Sequence, residues 1–265
     1  MTGALMAAVA AIFLWWFSTG VIMLAVRRAD RSGQHMRTVL LGLPLLVLGG
    51  WAVAASLQMN TLAGVYLGFL GALAIWGWIE LAFLAGVVTG PMREVCLPGL
   101  SGQPRFLRAL ATVAHHEALL AAGLVALVIM SLGAENMMAL ATYLILFLAR
   151  IFAKLNLFFG VPRINLEFIP RRLSHLKTYF RRGPVTVAFP IAITVLTALL
   201  AVCTERLWFA TSEAAIVGYG LLTALAALAL LEHWLMVIPL PDAKLWRWML
   251  PKQHTGPKTM TKEER

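Results

Sequence analysis

Apolar runs of about 20 residues recur seven times along the chain, separated by short polar gaps. A helix rises about 1.5 Å per residue and satisfies its own backbone, so about 20 such residues cross a hydrocarbon core. The runs predict spans at 5–26, 39–57, 62–88, 113–132, 137–159, 185–203 and 214–238. The predicted fold is therefore an all-α, polytopic membrane bundle of about seven transmembrane helices.

Charge then orients the bundle. Of the 22 basic residues, only Arg150, Lys154 and Arg206 lie outside four segments: the first, third and fifth gaps and the C-terminal tail. The first gap holds Arg27, Arg28, Arg31 and Arg37; the third, Arg93, Arg105 and Arg108; the fifth, Arg163, Arg171, Arg172, Lys177, Arg181 and Arg182. By the positive-inside rule the N-terminus is expected in the periplasm and the C-terminus in the cytoplasm of a bacterial inner membrane. An odd number of spans requires the same arrangement.

The net charge of +10 would point to nucleic acid in a soluble chain. Here every basic cluster adjoins a span, so the reading is topology plus attraction to anionic lipid, with no nucleic-acid partner. Cys96 and Cys203 are expected on opposite sides of the bilayer, where they cannot pair, and no CxxC motif occurs. The first span has no preceding basic residue and reads as an uncleaved anchor. Hydrophilic stretches stay under about 25 residues, short of the roughly 50 that a soluble domain needs. Residues 1–250 are thus expected to form one transmembrane domain, with 251–265 a polar, disordered cytoplasmic tail.

The short gaps at 58–61 and 133–136 predict tight antiparallel hairpins. Gly64, Gly68, Gly71 and Ala72 place small residues along one side of the third span, a signal for close helix packing. The long gaps are on the basic side. Prolines and glycines at 89–112 are expected to break any long helix there. A short amphipathic surface helix is expected at about 171–180, and interfacial aromatics at Trp246 and Trp248.

Ionisable groups at lipid depth cost a few kcal/mol each unless partnered, about 2.5–3.5 kcal/mol on insertion scales. Glu80 lies about two turns from the inner end of the third span, and His115, His116 and Glu117 lie near the inner end of the fourth. Arg150, Lys154 and Asn156 occupy the inner half of the fifth, and Glu232 and His233 the inner end of the seventh. Four helices therefore deliver polar groups to one leaflet. Arg150 and Lys154, four apart, share a face, so two cations can oppose three carboxylates across the bundle. Only one of His115 and His116, about 100° apart on a helix, is expected to face this layer.

Three chemistries are compatible with such a layer. The first is a metal site using Glu80, His116, Glu117, Glu232 and His233, joined by Glu167 and His175 if the fifth gap folds back over it; iron or zinc would be the metal. No ExxH, HxxxH or HExxH spacing supports it. The second is a tetrapyrrole held by an axial histidine, with cations and carboxylates addressing the ring and tryptophans as walls. The third is a proton or solute pathway, which carboxylates confined to one leaflet do not complete.

The segments LWWFSTGVIML from Leu14, AHHEALL from Ala114, KLNLFFGVPRINLEFIPRRLSHLKTYF from Lys154 and LEHWLMVIPLPDAKLWRW from Leu231 resemble the photosynthetic complex assembly protein 2 (PuhE) family of anoxygenic phototrophic bacteria. The resemblance extends over the first, fourth, fifth and seventh spans, and its longest motif includes Asn156, Gly160, Pro162, Glu167 and Pro170. It implies an assembly factor for the photosynthetic apparatus, with reaction-centre or light-harvesting subunits and bacteriochlorophyll as associates. It carries over no catalytic residue. The cofactor-binding candidates are Glu80, His116, Glu117, Arg150, Lys154, Asn156, Glu232 and His233. The rival reading is a membrane-bound, metal-dependent enzyme modifying bacteriochlorophyll or a carotenoid.

Reporter fusions after Gln58, Ala134 and Arg206 should score as periplasmic, and those after Gln34, Gly102, Ser174 and Gly256 as cytoplasmic. A periplasmic score at Ser174 would remove the single-leaflet layer.

Overall fold

The computed structural model describes residues 2–239. Trp246, Trp248, the boundary at residue 250 and the tail at 251–265 lie outside the described residues. Those described residues form an all-helical bundle containing seven helices long and apolar enough to cross a membrane, as in a multi-pass membrane protein. In chain order they are α1 (Thr2–Ser32), α2 (His35–Leu41) with α3 (Leu43–Ser56), α4 (Leu62–Leu84), α5 (Gly102–Met130), α6 (Met138–Phe159), α7 (Ala188–Trp208) and α8 (Glu213–Leu235).

Several boundaries depart from the hydropathy reading, each for a local reason. The second span is two helices, because Pro44 in the first turn of α3 has no N–H to continue the ladder. The Trp78 indole donates to the Val39 carbonyl at 3.1 Å beside the break, and Trp78 and Leu81 fill the space where Gly42 lacks a side chain. α4 stops at Leu84, short of residue 88, in a glycine-terminated cap. Gly86 has φ +69°, its N–H donates to the Phe83 carbonyl at 2.8 Å, and the Val87 N–H donates to the Ala82 carbonyl at 3.0 Å. α5 begins at Gly102, eleven residues before the apolar run, so Arg105 and Arg108 stand on helix and not in a loop. Pro104 falls in its first turn, where a missing N–H costs nothing.

α4 and α8 are the most enclosed spans. Their apolar residues run round the whole helix, the pattern of an element with protein on every side. Small residues set the spacing around α4. A Cβ on Gly71 would lie 2.9 Å from the Gly49 carbonyl oxygen on α3, and one on Gly68 would lie 3.1 Å from Met138 Cβ on α6. The glycine series thus packs against two neighbours. At the joint of α5 and α6, the buried Tyr143 hydroxyl donates to the Leu120 carbonyl at 3.1 Å and its ring meets Trp76 edge-on.

The two short connections meet at one end, where the Asn136 side chain donates to the Met59 carbonyl at 3.2 Å. The three basic gaps meet at the other, the basic end. There the Arg171 N–H donates to Asp30 at 3.4 Å and the Cys96 N–H to Thr178 at 2.8 Å. The segment expected to form an amphipathic helix is a 3-10 helix, Arg171–Tyr179, burying Leu173, His175, Leu176 and Tyr179 and exposing Arg171, Arg172 and Lys177. Both cysteines are free.

Gly71→Leu should lower stability by about 1–3 kcal/mol by forcing α3 from α4. Thermal unfolding in detergent reads this directly. Gly50→Ala, where nothing lies within 4 Å of the added carbon, should leave the midpoint unchanged or raise it.

Candidate functional site

At the basic end α1, α4, α5, α6 and α8 surround a cavity of about 620 Å³, over which the connection from Arg163 to Phe180 folds as a roof. Its walls are mainly apolar, with Trp15 and Met23 from α1, Phe83 from α4, Phe106 from α5 and Phe158 from α6. Glu117, Arg150, Lys154, Arg163, Glu232 and His233 bring charge or polarity to it.

The Phe83 ring organises the polar wall. The Arg150 guanidinium lies 5.7 Å and the Lys154 ammonium 5.4 Å from its centroid, as a cation meets the negative face of a ring. His116 also stacks on it, with ring centroids 4.1 Å apart. Arg150 donates to Glu80 Oε2 at 2.7 Å, linking α6 to α4, and Lys154 pairs with Glu117, linking α6 to α5. The four-residue spacing of Arg150 and Lys154 thus serves two different helices. The two cations expected to oppose three carboxylates are matched one to one with two of them. The third, Glu232, is exposed towards the cavity and has no hydrogen bond or ion pair among the described residues.

The two histidines of the layer are held differently. His116 is fully buried, neither ring nitrogen has a partner, and Nε2 stands 3.7 Å from Glu80 Oε1, beyond hydrogen-bond length. His233 is also buried, but its Nδ1 contacts the Ala229 carbonyl at 2.8 Å. A carbonyl only accepts, so Nδ1 carries the proton and Nε2 keeps its lone pair. That Nε2 is buried and has no partner among the described residues. His115 is exposed, so it is His116 of the adjacent pair that faces the layer.

The remaining candidates lie away from the cavity. Glu80 and His116 are buried and do not line the cavity, and Asn156 is buried outside the lining with neither amide atom partnered among the described residues. The fifth gap does fold over the layer, yet neither Glu167 nor His175 lines the cavity. Glu167 is exposed on a 3-10 turn, Leu166–Phe168, and His175 is packed into the strap. Burial, with Arg93 nearby, holds the His175 imidazole below its usual pKa. Among the described residues no three His, Cys, Asp or Glu side chains are grouped to hold a metal ion. The proposed ligands Glu80, Glu117, Glu167, His175, Glu232 and His233 therefore do not form a cage, the first two being engaged by cations.

Sequence reasoning missed the wall from α1 and the contacts that pin the roof. Trp15, Thr19 and Met23 carry no charge and look like any lipid-facing span, although α1 lies in the segment of the family resemblance. The roof is pinned by Arg105. It donates to the Phe158 carbonyl at 3.3 Å and the Tyr179 carbonyl at 2.5 Å, with its guanidinium 4.2 Å from the Phe158 centroid. Arg163 bonds the Ile238 carbonyl, and the Tyr179 hydroxyl donates to the Glu94 carbonyl at 3.2 Å.

Comparison with known proteins gives one family, described as "Protein of unknown function (DUF3623)", whose model matches residues 1–257. A Rhodobacter capsulatus protein, described as the uncharacterized 30.4 kDa protein in the puhA 5′ region, is 49% identical over 253 residues, covering 95% of this chain and 92% of that one. No solved structure matches.

Arg150→Gln should destabilise the bundle by about 3–5 kcal/mol, because it strands the Glu80 carboxylate in an apolar interior. Pairing it with Glu80→Gln should recover most of the loss in detergent melts. A double variant no better than the single one would mean that the pair does not organise the wall.

Proposed function

The chain belongs to the DUF3623 family, and from that footing we propose that it is a non-enzymatic assembly factor for the photosynthetic apparatus. It sits in the bacterial cytoplasmic or intracytoplasmic membrane with its basic end in the cytoplasm. There it holds bacteriochlorophyll, or a nascent pigment-binding helix, during maturation of the reaction centre or light-harvesting complex. The observation that carries this reading is His233: a buried imidazole beside an apolar cavity, oriented through Nδ1 and with Nε2 unpartnered.

A histidine that ligates the metal of a tetrapyrrole needs this arrangement, since a hydrogen bond at one nitrogen fixes the ring and raises the basicity of the other. The donor type fits the group, and because Nε2 is enclosed in this structure its ligation requires the end of α8 or the roof to shift. Bacteriochlorophyll, when bound, supplies a Lewis-acidic magnesium centre and the absorbing ring. The chain's own part is to orient and enclose. Phe83, Phe106 and Phe158 offer flat apolar walls at the depth of His233, and the Arg163–Phe180 roof screens them from water on the basic side. The photosynthetic connection is supported by the PuhE resemblance and by the position of the R. capsulatus relative in the puhA region. The exposed Arg171, Arg172 and Lys177 suit contact with anionic lipid beside a client subunit.

The rival reading, a metal-dependent pigment-modifying enzyme, has less support, because Glu80 and Glu117 are committed to Arg150 and Lys154. Tagged protein purified in mild detergent from pigmented membranes should retain a bacteriochlorophyll absorption band. His233→Ala should lose that band at unchanged protein level. A colourless wild-type preparation, or a band indifferent to His233→Ala, would contradict the reading.

A further inference from the structure

Arg150 answers Glu80 through one nitrogen and keeps other donors in reserve. Its Nη2 donates to Glu80 Oε2 at 2.7 Å, and neither Nε nor Nη1 has a hydrogen bond among the described residues. Nε is enclosed, but the side chain is 30% exposed and lines the cavity. The donor open to a ligand is therefore Nη1. The planar guanidinium is fixed on its far side by Glu80, so the pair that ties α6 to α4 also aims this donor.

Charge decides what kind of acceptor suits it. Arg150, Lys154 and Arg163 line the cavity together with Glu117 and Glu232, while Glu80 is bound to Arg150 from behind the lining. Three cations thus face three carboxylates, with Arg150 in electrostatic reach of Glu232. An anion brought into this balanced and mainly apolar space would leave a net negative charge at low dielectric. A neutral carbonyl oxygen accepts from Nη1 without that cost.

The apolar walls sharpen the demand. An apolar ligand filling a cavity of about 620 Å³ displaces water from the guanidinium. A charged donor left facing it with no acceptor is a buried, unsatisfied group, which costs more than the bond itself contributes. A site of this kind rejects an analogue that lacks the acceptor.

Resting on the pigment-handling reading above, we infer that Arg150 is a specificity-determining residue whose Nη1 donates to a carbonyl oxygen on the rim of the bound tetrapyrrole, so that the cavity selects carbonyl-bearing rings. The contact is separate from the enclosed His233 Nε2 and asks nothing of it.

The test titrates the purified full-length protein in detergent with two esterified zinc chlorins that share one macrocycle. One bears conjugated rim carbonyls, and in the other these are replaced by methylene groups. The carbonyl form should bind at least about tenfold more tightly, the scale of a hydrogen bond from a charged donor. Resonance Raman should show its carbonyl stretch lowered on binding. Glu80→Met combined with Arg150→Met removes the donor without stranding either charge. That double variant should bind the two chlorins equally and return the stretch to its unbound position. Equal binding by the unsubstituted protein, or an unshifted stretch, would overturn the inference while leaving pigment handling intact. A folded double variant that keeps the preference and the shift would overturn the assignment to Arg150. If the double variant does not fold, Arg150→Lys, which keeps a cation opposite Glu80 and loses the planar second donor, is read in the same way. Binding of neither chlorin would overturn both this inference and the reading on which it rests.

Discussion

A charge carried into the interior of an apolar bundle has to be answered there, and the pairs Arg150–Glu80 and Lys154–Glu117 are the answer on which the basic end depends. Because both cations stand on α6, one helix ties two others, α4 and α5, at a fixed depth. Phe83 lies between them, receiving both cations and stacking on His116. The same ring is a cavity wall, so the geometry of the apolar site is set by the electrostatics beside it. Remote packing supports this arrangement. Gly71 brings α4 against α3 and Gly68 brings it against α6, leaving no slack through which the pairs can separate.

The arginines of the basic end have a second use beyond marking a membrane side. Arg105 bonds the carbonyls of Phe158 on α6 and Tyr179 on the roof, Arg163 ties the start of the roof to the Ile238 carbonyl after α8, and Arg182 bonds the Pro162 carbonyl, 3.1 Å away. A 3-10 strap cannot satisfy its backbone as an α-helix does, and irregular backbone near a membrane surface needs donors from elsewhere. Guanidinium groups supply several donors from one side chain. Leu173 and Leu176, packed with Phe83, anchor the strap on its inner side, while Arg171, Arg172 and Lys177 keep its outer side in water or headgroups.

The number of spans and the common depth of the polar groups were legible in the sequence because both follow from hydropathy and from counting residues to the basic end. The pairing was partly legible: Arg150 and Lys154 at i and i+4 had to share a face, but only packing says that one addresses α4 and the other α5. Asn156 shows the limit of depth alone. It lies in the same layer, yet on a face of α6 that does not line the cavity. The break at Gly42 was written in Pro44, and the end of α4 in Gly86, but hydropathy averages over both. The early start of α5 was hidden because prolines and glycines before Pro104 read as a continuous loop. The contribution of α1 had no signal, since an apolar wall and a lipid-facing surface have the same composition.

Two histidines at equal depth, His116 and His233, are equivalent in sequence terms and unlike in structure. His116 is enclosed, stacked on Phe83 and next to a carboxylate already engaged by Arg150, and it does not line the cavity. His233 lines the cavity, is oriented by its own helix through Ala229, and keeps a nitrogen without a partner. Glu232, next to it in sequence, also lines the cavity and is the one carboxylate of the layer without an ion pair among the described residues. The charged groups of the layer therefore divide by whether another side chain answers them: Glu80, Glu117, Arg150 and Lys154 on α4, α5 and α6 pair with one another and hold the bundle, whereas Glu232 at the end of α8 forms no ion pair among the described residues.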